Sequence, residues 1–328
     1  QKQEPPYGAD VLRLWVSSVD YSADVPIGAG ILRQLADVYR KVRNTSRYLL
    51  GNLHDFNPAS DAIAVADLPL LDRWMLQRTA EVMDEITEAF ESYEFFRFFQ
   101  LLQNFCVTDL SNFYLDIAKD RLYVSAPSDQ RRRSCQTVMA LIIERLAGFI
   151  APVLCHMAED IWQNLPYPVQ ETSVFQRGWP TIPSDWRNDT LSAPVQQLRD
   201  LRAAVNKVLE DCRGRQELGA SLEAAVRIDA RSPELQAALS WLNDNGDPDV
   251  DGLRDWLLVS QLQLGGEPWA EVLASHEDDL ALIEVSRARG TKCERCWHYE
   301  GDVGQHPDHP HICGRCVGVL ERRTHQLA

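Results

Sequence analysis

The sequence predicts a mainly α protein: an antiparallel helical bundle, then a small α+β domain, then a terminal module built on four cysteines. Three observations carry this. Four long stretches between residues 31 and 162 repeat apolar side chains every three, four or seven positions, which keeps one face of a helix dry. Past a proline-rich stretch, short apolar runs alternate with helical ones, the pattern of strands packed beside helices. The chain then closes on two Cys-x-x-Cys pairs separated by 16 residues.

The first helix is predicted over 31–53, where Ile31, Leu35, Val38, Val42, Leu49 and Leu53 share a face. Arg33, Arg40, Arg43 and Arg47, with Asn44 among them, recur at about 3.5 residues on another face, which the core cannot accept. A second helix is predicted over 71–93 through Met75, Val82, Ile86 and Phe90, and a third over 95–117 through Phe98, Leu102, Cys106, Leu110 and Phe113. The fourth runs over 129–162 and must bend or break at Pro152, whose ring removes a helix donor. Short polar loops between long amphipathic helices make neighbours antiparallel. The bundle is therefore expected to end at 164.

Residues 165–194 hold Pro166, Pro168, Pro180, Pro183 and Pro194, which prevent regular helix, and Trp179 and Trp186, which suit a strap lying on the bundle better than a free tether. Residues 195–286 are expected to form the α+β domain. Within it, helix is read over 195–212 and 233–242, and strand over 222–228, 255–265 and 280–288. Residues 287–328 form the cysteine module.

With 328 residues, 45% of them hydrophobic, the chain can bury a substantial core. Its formal charge of −15 argues against a protein that coats nucleic acid indiscriminately. Local patches of the opposite sign remain: residues 31–50 carry five Lys/Arg against one Asp, and 117–133 carry five against two. Nothing approaches the roughly 18 apolar residues of a membrane span, and no secretory leader is visible, so a cytoplasmic, non-membrane protein is expected. Cys106, Cys135, Cys155 and Cys212 stand singly among apolar helical residues and read as small buried hydrophobes. Beginning at Gln1, the chain is expected to be a piece of something longer.

Cys293, Cys296, Cys313 and Cys316 form C-x2-C-x16-C-x2-C. Two intervening residues let a tight turn aim both sulfurs at one centre, and two such turns supply the tetrahedron of thiolates that Zn²⁺ favours. An intracellular compartment disfavours disulfides, and a redox pair needs one Cys-x-x-Cys, not two. Four sulfurs leave no open position for water, so one structural Zn²⁺ is expected, and His298, His306, His309 and His311 read as loop residues. Lys292, Arg295 and Arg315 then have two readings: offsetting the thiolate charge, or meeting a phosphate.

No phosphate-cradling glycine loop, helical HExxH, GxSxG elbow or dinucleotide fingerprint occurs. Asp109, Asp116 and Asp120 read as solvated or paired with Arg and Lys rather than as catalytic carboxylates. What the residues themselves leave is a binding module with two basic clusters, the second made of Lys119, Arg121 and 131–133, and a metal knob. Solvation is the plain alternative for each cluster.

The stretches "YGADVLRLWVSSVDYSADVPIG", "VYRKVRNTSRYLLGNLHDFNP", "LDRWML", "NFCVTDLSNFYLDIAKDRLY", "APVLCHMAEDIW", "LGASLEAAV" and "KCERCWHY…CGRC" closely resemble the isoleucyl-tRNA synthetase family of the bacterial type, over about residues 7–320. The helical motifs alone also admit valyl and leucyl relatives. The resemblance implies that 1–27 is the connector following a catalytic domain, that 28–164 is the anticodon-binding bundle of class I synthetases, and that the chain ends in that family's zinc finger. It implies a parent isoleucine-tRNA ligase whose HIGH and KMSKS motifs, ATP site and editing domain lie outside these residues, so this chain alone should be inactive; no catalytic residue is assigned. It implies tRNA(Ile) and the parent's catalytic and editing domains as partners, and a monomer. The RNA contacts it suggests are Arg33, Arg40, Lys41, Arg43, Asn44 and Arg47 on the first helix, Lys119 and Arg121, and Lys292, Arg295 and Trp297 on the finger. For Trp297 two readings stand, a stacking platform or a lid over the metal. Two other classes remain for the whole: a zinc-finger nucleic-acid-binding protein of the DNA-glycosylase type, whose finger has the same spacing, and a protein-docking scaffold.

Overall fold

The computed structural model describes residues 6–327; residues 1–5 of the expected connector, and Ala328, lie outside the described residues. The chain divides into two compact units. One comprises residues up to Leu68, Met75–Asp116 and Arg133–Arg187; the other comprises Pro69–Trp74, Ile117–Arg132 and the chain from Asn188 onward.

The first unit is helical. In chain order the helices up to Gln163 are α1 (Ala9–Ser17), α2 (Ala29–Gly51), α3 (Pro58–Asp61), α4 (Leu70–Glu91), α5 (Phe95–Asn104), α6 (Leu115–Val124), α7 (Gln130–Ile150) and α8 (Cys155–Gln163); of these, α4 through Trp74, α6 from Ile117 and α7 through Arg132 count with the second unit. The expected apolar stripes are the buried ones: Leu35, Val42 and Leu49 on α2, and Met75, Val82 and Ile86 on α4. Thr45 and Ser46 are also buried on α2 and settle their hydroxyls locally, Thr45 on Lys41 O and on Ser111 Oγ, Ser46 on Val42 O. Burial of these hydroxyls therefore leaves no polar group unsatisfied. Between α5 and α6 the helix does not break but widens to π turns over Phe105–Tyr114, with Phe105, Cys106, Leu110 and Phe113 inside.

Pro152 breaks the fourth predicted helix, leaving α7 to end at Ile150 and α8 to start at Cys155. The carbonyls freed at the break are taken by Arg13, which donates to Val153 O at 2.8 Å and to Pro152 O at 2.6 Å. The start of α8 is held by buried Asp10, whose carboxylate accepts from the amides of His156 and Met157. A carboxylate there meets both the orphan amides and the positive end of the helix dipole. The proline-rich strap lies on this unit: Trp179 packs its ring 4.9 Å from Phe149 and 5.3 Å from Phe90, and Trp186 is buried under the Arg145 guanidinium at 4.9 Å.

The second unit is α+β. It contains α9 (Ser192–Gly214), β1 (Ala224–Ala230), α10 (Pro233–Asn245), α11 (Leu253–Leu257), β2 (Gln261–Leu264), β3 (Ala274–Glu277), β4 (Ala281–Arg287), the short pair β5 (Thr291–Lys292) and β6 (Tyr299–Glu300), and α12 (Gly314–Leu327). The main sheet runs β2-β1-β4-β3, with β1 and β2 parallel and the other pairs antiparallel. Ser232 caps α10 by accepting from Leu235 N, with Pro233 at the first helical position, a start signal written in the sequence.

Two strand expectations need correction. Residues 255–265 are not one strand: they begin inside α11, turn at Leu258 with φ 55°, and become β2 only at Gln261. A short apolar run such as Trp256–Val259 fits a helical turn as well as a strand, and its periodicity does not decide. The polar edge strand β3 was not expected at all.

Arg227 and Arg121 each hold a buried carboxylate in this unit. Arg227 on β1 donates to Glu284 on β4 and to the carbonyls of Gly265 and Gly266, fastening the loop after β2. Arg121 on α6 grips Asp72 in the first turn of α4 with two bonds of 2.8 and 2.9 Å. Asp251 lies beside that pair and caps the same turn by accepting from Leu70 N and Leu71 N. Among the described residues no helix is long and apolar enough to cross a membrane.

Candidate metal centre and nucleic-acid interface

The four cysteines converge as their spacing predicts. Their sulfurs lie within 4.8 Å of one another and all four side chains are buried. Cys293 and Cys316 sulfurs are 3.7 Å apart, as are those of Cys296 and Cys313. Zinc-sulfur bonds of about 2.3 Å in a tetrahedron require edges of about 3.8 Å, which these two edges match. Each knuckle is a backbone turn: Trp297 N donates to Cys293 O at 2.9 Å and Val317 N to Cys313 O at 3.0 Å, while Cys313 N points across at Cys293 Sγ from 3.4 Å. Gly290 enters the module at φ 99°, where a Cβ would stand 2.5 Å from Glu300 O, so a glycine is required there.

Such crowding polarises the thiols in opposite directions. Hydrogen bonding with Cys296 first, then Cys316, pulls Cys313 down to about 4, while coupling to Cys296 and Cys313 pushes Cys316 up. Four sulfurs this close cannot all be anions by themselves; a divalent cation at their centre removes the conflict. Among the described residues no histidine joins the cluster. His298 is buried with its Nε2 4.0 Å from Asp120 Oδ1, and His306 faces Asp302 at 3.6 Å.

Arg315 and Arg295, each the residue before the second cysteine of its knuckle, turn to α6. Arg315 makes two hydrogen bonds of 2.7 and 2.8 Å to Asp120, and Arg295 donates to Val124 O at 2.6 Å while its other nitrogen lies 3.7 Å from Cys316 Sγ. Burial pushes the Asp120 carboxyl up, but Arg315, His298 and Arg131 outweigh it and hold the carboxyl below its ordinary range. Trp297 is 61% exposed with φ 67°, and Lys292 Nζ rides 5.7 Å from its ring. The lid reading of Trp297 is thereby replaced by an exposed ring on a strained knuckle.

On α2, Arg33, Arg40, Lys41, Arg43, Asn44 and Arg47 are all exposed. Arg40 makes an exposed contact of 2.6 Å with Asp37, and Arg43 stands 4.0 Å from Asp160, also exposed; pairs this wet contribute little and can be exchanged for a ligand's charge. Arg43, Asn44 and Arg47 form one wall of a cleft of about 450 Å³, whose other wall is Met157, Asp160 and Ile161 on α8 with Asn164 just past its end. Sequence reading missed Asp160 and Asn164, because nothing in "APVLCHMAEDIW" says which α8 residues meet α2.

The second basic cluster is not a surface. Arg121 is 2% exposed and spent on Asp72. Arg131 faces Asp120 and Asp255 at 3.8 and 3.7 Å, Arg132 donates to Leu122 O and Pro127 O, and Arg133 is held by Asp55 O and Gln136. Of that group Lys119 alone is exposed. Asp109, beside Arg78 at 3.0 Å, and Asp120, beside Arg315, are ion-pair partners as read.

Residues 72–228 match the family described as the anticodon-binding domain of tRNA ligase, and residues 290–318 match the zinc finger found in FPG and IleRS. Over 327 residues the chain is 98% identical to isoleucine-tRNA ligase of Parasynechococcus marenigrum strain WH8102, covering 34% of that protein. The chain is similar throughout to the C-terminal region of isoleucine-tRNA ligases. Isoleucine-tRNA ligases of Synechococcus sp. strain CC9311 and Prochlorococcus marinus strain MIT 9313 are each 78% identical over 323 residues, with 33% of each covered. The chain thus spans about one third of the length of the isoleucine-tRNA ligases it matches. The finger type is shared with FPG; the helical match excludes the glycosylase class, for it belongs to tRNA ligases.

Proposed function

We propose that this chain is the tRNA(Ile)-holding part of an isoleucine-tRNA ligase, and that ATP-dependent isoleucylation and editing are carried by catalytic and editing domains of the same parent outside these residues. The parent works in the cytoplasm as a monomer. The observation that carries the reading is the exposed cationic face of α2, with Arg33, Arg40, Lys41, Arg43 and Arg47 turned away from the core of a chain whose net charge is −15. An acidic chain keeps a clustered, solvent-facing set of guanidinium groups where a polyanion docks; the acidic remainder disfavours other poses.

Arg43 and Arg47 at the mouth of the α2–α8 cleft would take phosphates, and Asn44, Asn164 and Asp160 offer amide and carboxylate groups to the edge of a base turned out of its stack. Lys119 adds a cation on α6. On the finger, Lys292 and the exposed Trp297 ring supply charge and a stacking surface. Arg295 and Arg121 are dropped from the contact set, since their donors are used within the chain. Zn²⁺ held by Cys293, Cys296, Cys313 and Cys316 supplies folding energy; with all four positions filled by sulfur it offers no site to substrate.

Binding of the chain to a panel of tRNA transcripts at two salt concentrations tests this. The reading expects tRNA(Ile) to be preferred and the affinity to fall with salt. Equal affinity for all tRNAs, or none for any, counts against it, and capture of a catalytic fragment without RNA binding would favour a scaffold.

A further inference from the structure

The finger's two knuckles share one pattern, Cys-x-Arg-Cys: Cys293-Glu294-Arg295-Cys296 and Cys313-Gly314-Arg315-Cys316. Both arginines reach the same side of α6, because Asp120 and Val124 are four residues apart and so stand one above the other. Asp120 offers both oxygens to Arg315, and Val124 offers its carbonyl to Arg295. The groups facing Asp120 are Arg315, Arg131 and His298, with Asp255 behind Arg131. A planar guanidinium held at two points by a carboxylate fixes direction as well as distance, which a single ammonium contact does not.

The opposite side of the finger is tied through its hairpin, by Tyr299 N to Ser260 Oγ at 2.8 Å and Arg254 to Glu300 at 3.2 Å. These ties act on the strand end of the hairpin, whereas Arg295 and Arg315 fasten the knuckles themselves to α6. Trp297 follows the first knuckle directly, and its exposed ring moves with that knuckle.

We infer that Asp120 is a positioning residue: it touches no RNA, but by clamping Arg315, with Val124 O clamping Arg295, it fixes the knuckles on α6 and so sets where Lys292 and Trp297 meet the tRNA. This rests on the tRNA-binding reading above. The metal holds the finger together; the clamp decides where the finger points.

The experiment uses the zinc-loaded full chain carrying Asp120→Asn, Arg315→Lys, and the charge swap Asp120→Arg with Arg315→Asp, each also made in a Lys292→Ala/Trp297→Ala background. Zinc content stays at that of the unaltered chain in Asp120→Asn, affinity for tRNA(Ile) transcript falls about tenfold, and the fall vanishes in the Lys292→Ala/Trp297→Ala background. The charge swap restores part of the affinity, because an arginine at 120 regains a partner at 315 but also faces Arg131. Hydrogen exchange over 291–300 rises in Asp120→Asn with the metal still bound. An equal loss in both backgrounds, loss of zinc from Asp120→Asn, or unchanged exchange would each overturn the inference. If the unaltered chain binds no tRNA, the functional reading fails, and the exchange comparison still judges the clamp by itself.

Discussion

Replacing Arg121 with Met separates a structural arginine from an RNA-binding one. In the folded chain Asp72 is fully buried and both its oxygens are held by Arg121, while Asp251 sits beside them on the amides of Leu70 and Leu71. Removing the guanidinium takes the bidentate partner from Asp72 in a dry site that holds a second carboxylate, Asp251. Breaking such a pair costs about 3–5 kcal/mol, less whatever the first turn of α4 returns through its dipole. For a unit of roughly 150–250 residues that corresponds to about 6–20 °C in melting temperature. Calorimetry and urea unfolding measure the loss, and a double variant, Arg121→Met with Asp72→Asn, recovers much of it because the stranded charge is gone. The dependence of RNA affinity on salt, measured well below the melting temperature, stays as in the unaltered chain. A variant that kept its stability but lost about one unit of salt slope would refute the reasoning and return Arg121 to the contact set.

Two further outcomes concern the same unit. Cys313→Ser opens the sulfur tetrahedron, so metal analysis should find the zinc lost and the finger unfolded, at a cost on the order of 10 kcal/mol of binding energy, while circular dichroism keeps the helical signal; retained zinc contradicts this. Asp251 is raised above the ordinary carboxylate range by burial, with the amides of Leu70, Leu71 and Asp247 and the charge of Arg121 only partly opposing it. A raised value means that the group's contribution is full at pH below the ordinary range and is lost as pH rises through the raised value. The cost of Asp251→Asn should therefore be largest in acid and shrink toward neutrality; a cost that grew with pH would reverse the sign of the effect.

Helices and the cysteine cluster were legible because each has a strict geometric period. Leu35, Val42 and Leu49 had to be buried once α2 formed, and Pro152 had to end α7. Cys293, Cys296, Cys313 and Cys316 had to meet because their turns allow little else. Where the answer depended on partners distant in sequence, the sequence was silent. Arg121 and Lys119 lie two residues apart on α6, one buried on Asp72 and one in solvent, and only the packing of α4 decides between them. Arg131–Arg133 read as a patch by composition, yet each turned to acceptors from other segments. The π turns at Phe105–Tyr114 and the edge strand β3 leave no pattern of their own, the first because each hydrogen bond spans only one residue more than in a helix, the second because an alanine and three polar residues carry no alternation.

The most direct test is the slope of log affinity against log salt for tRNA(Ile) transcript, compared between the unaltered chain and Arg43→Glu and Arg47→Glu. If α2 is the face that meets the RNA, each variant binds more weakly and its slope is shallower by about one phosphate contact. Slopes and affinities equal to those of the unaltered chain would place the RNA elsewhere and remove the basis for the proposed role.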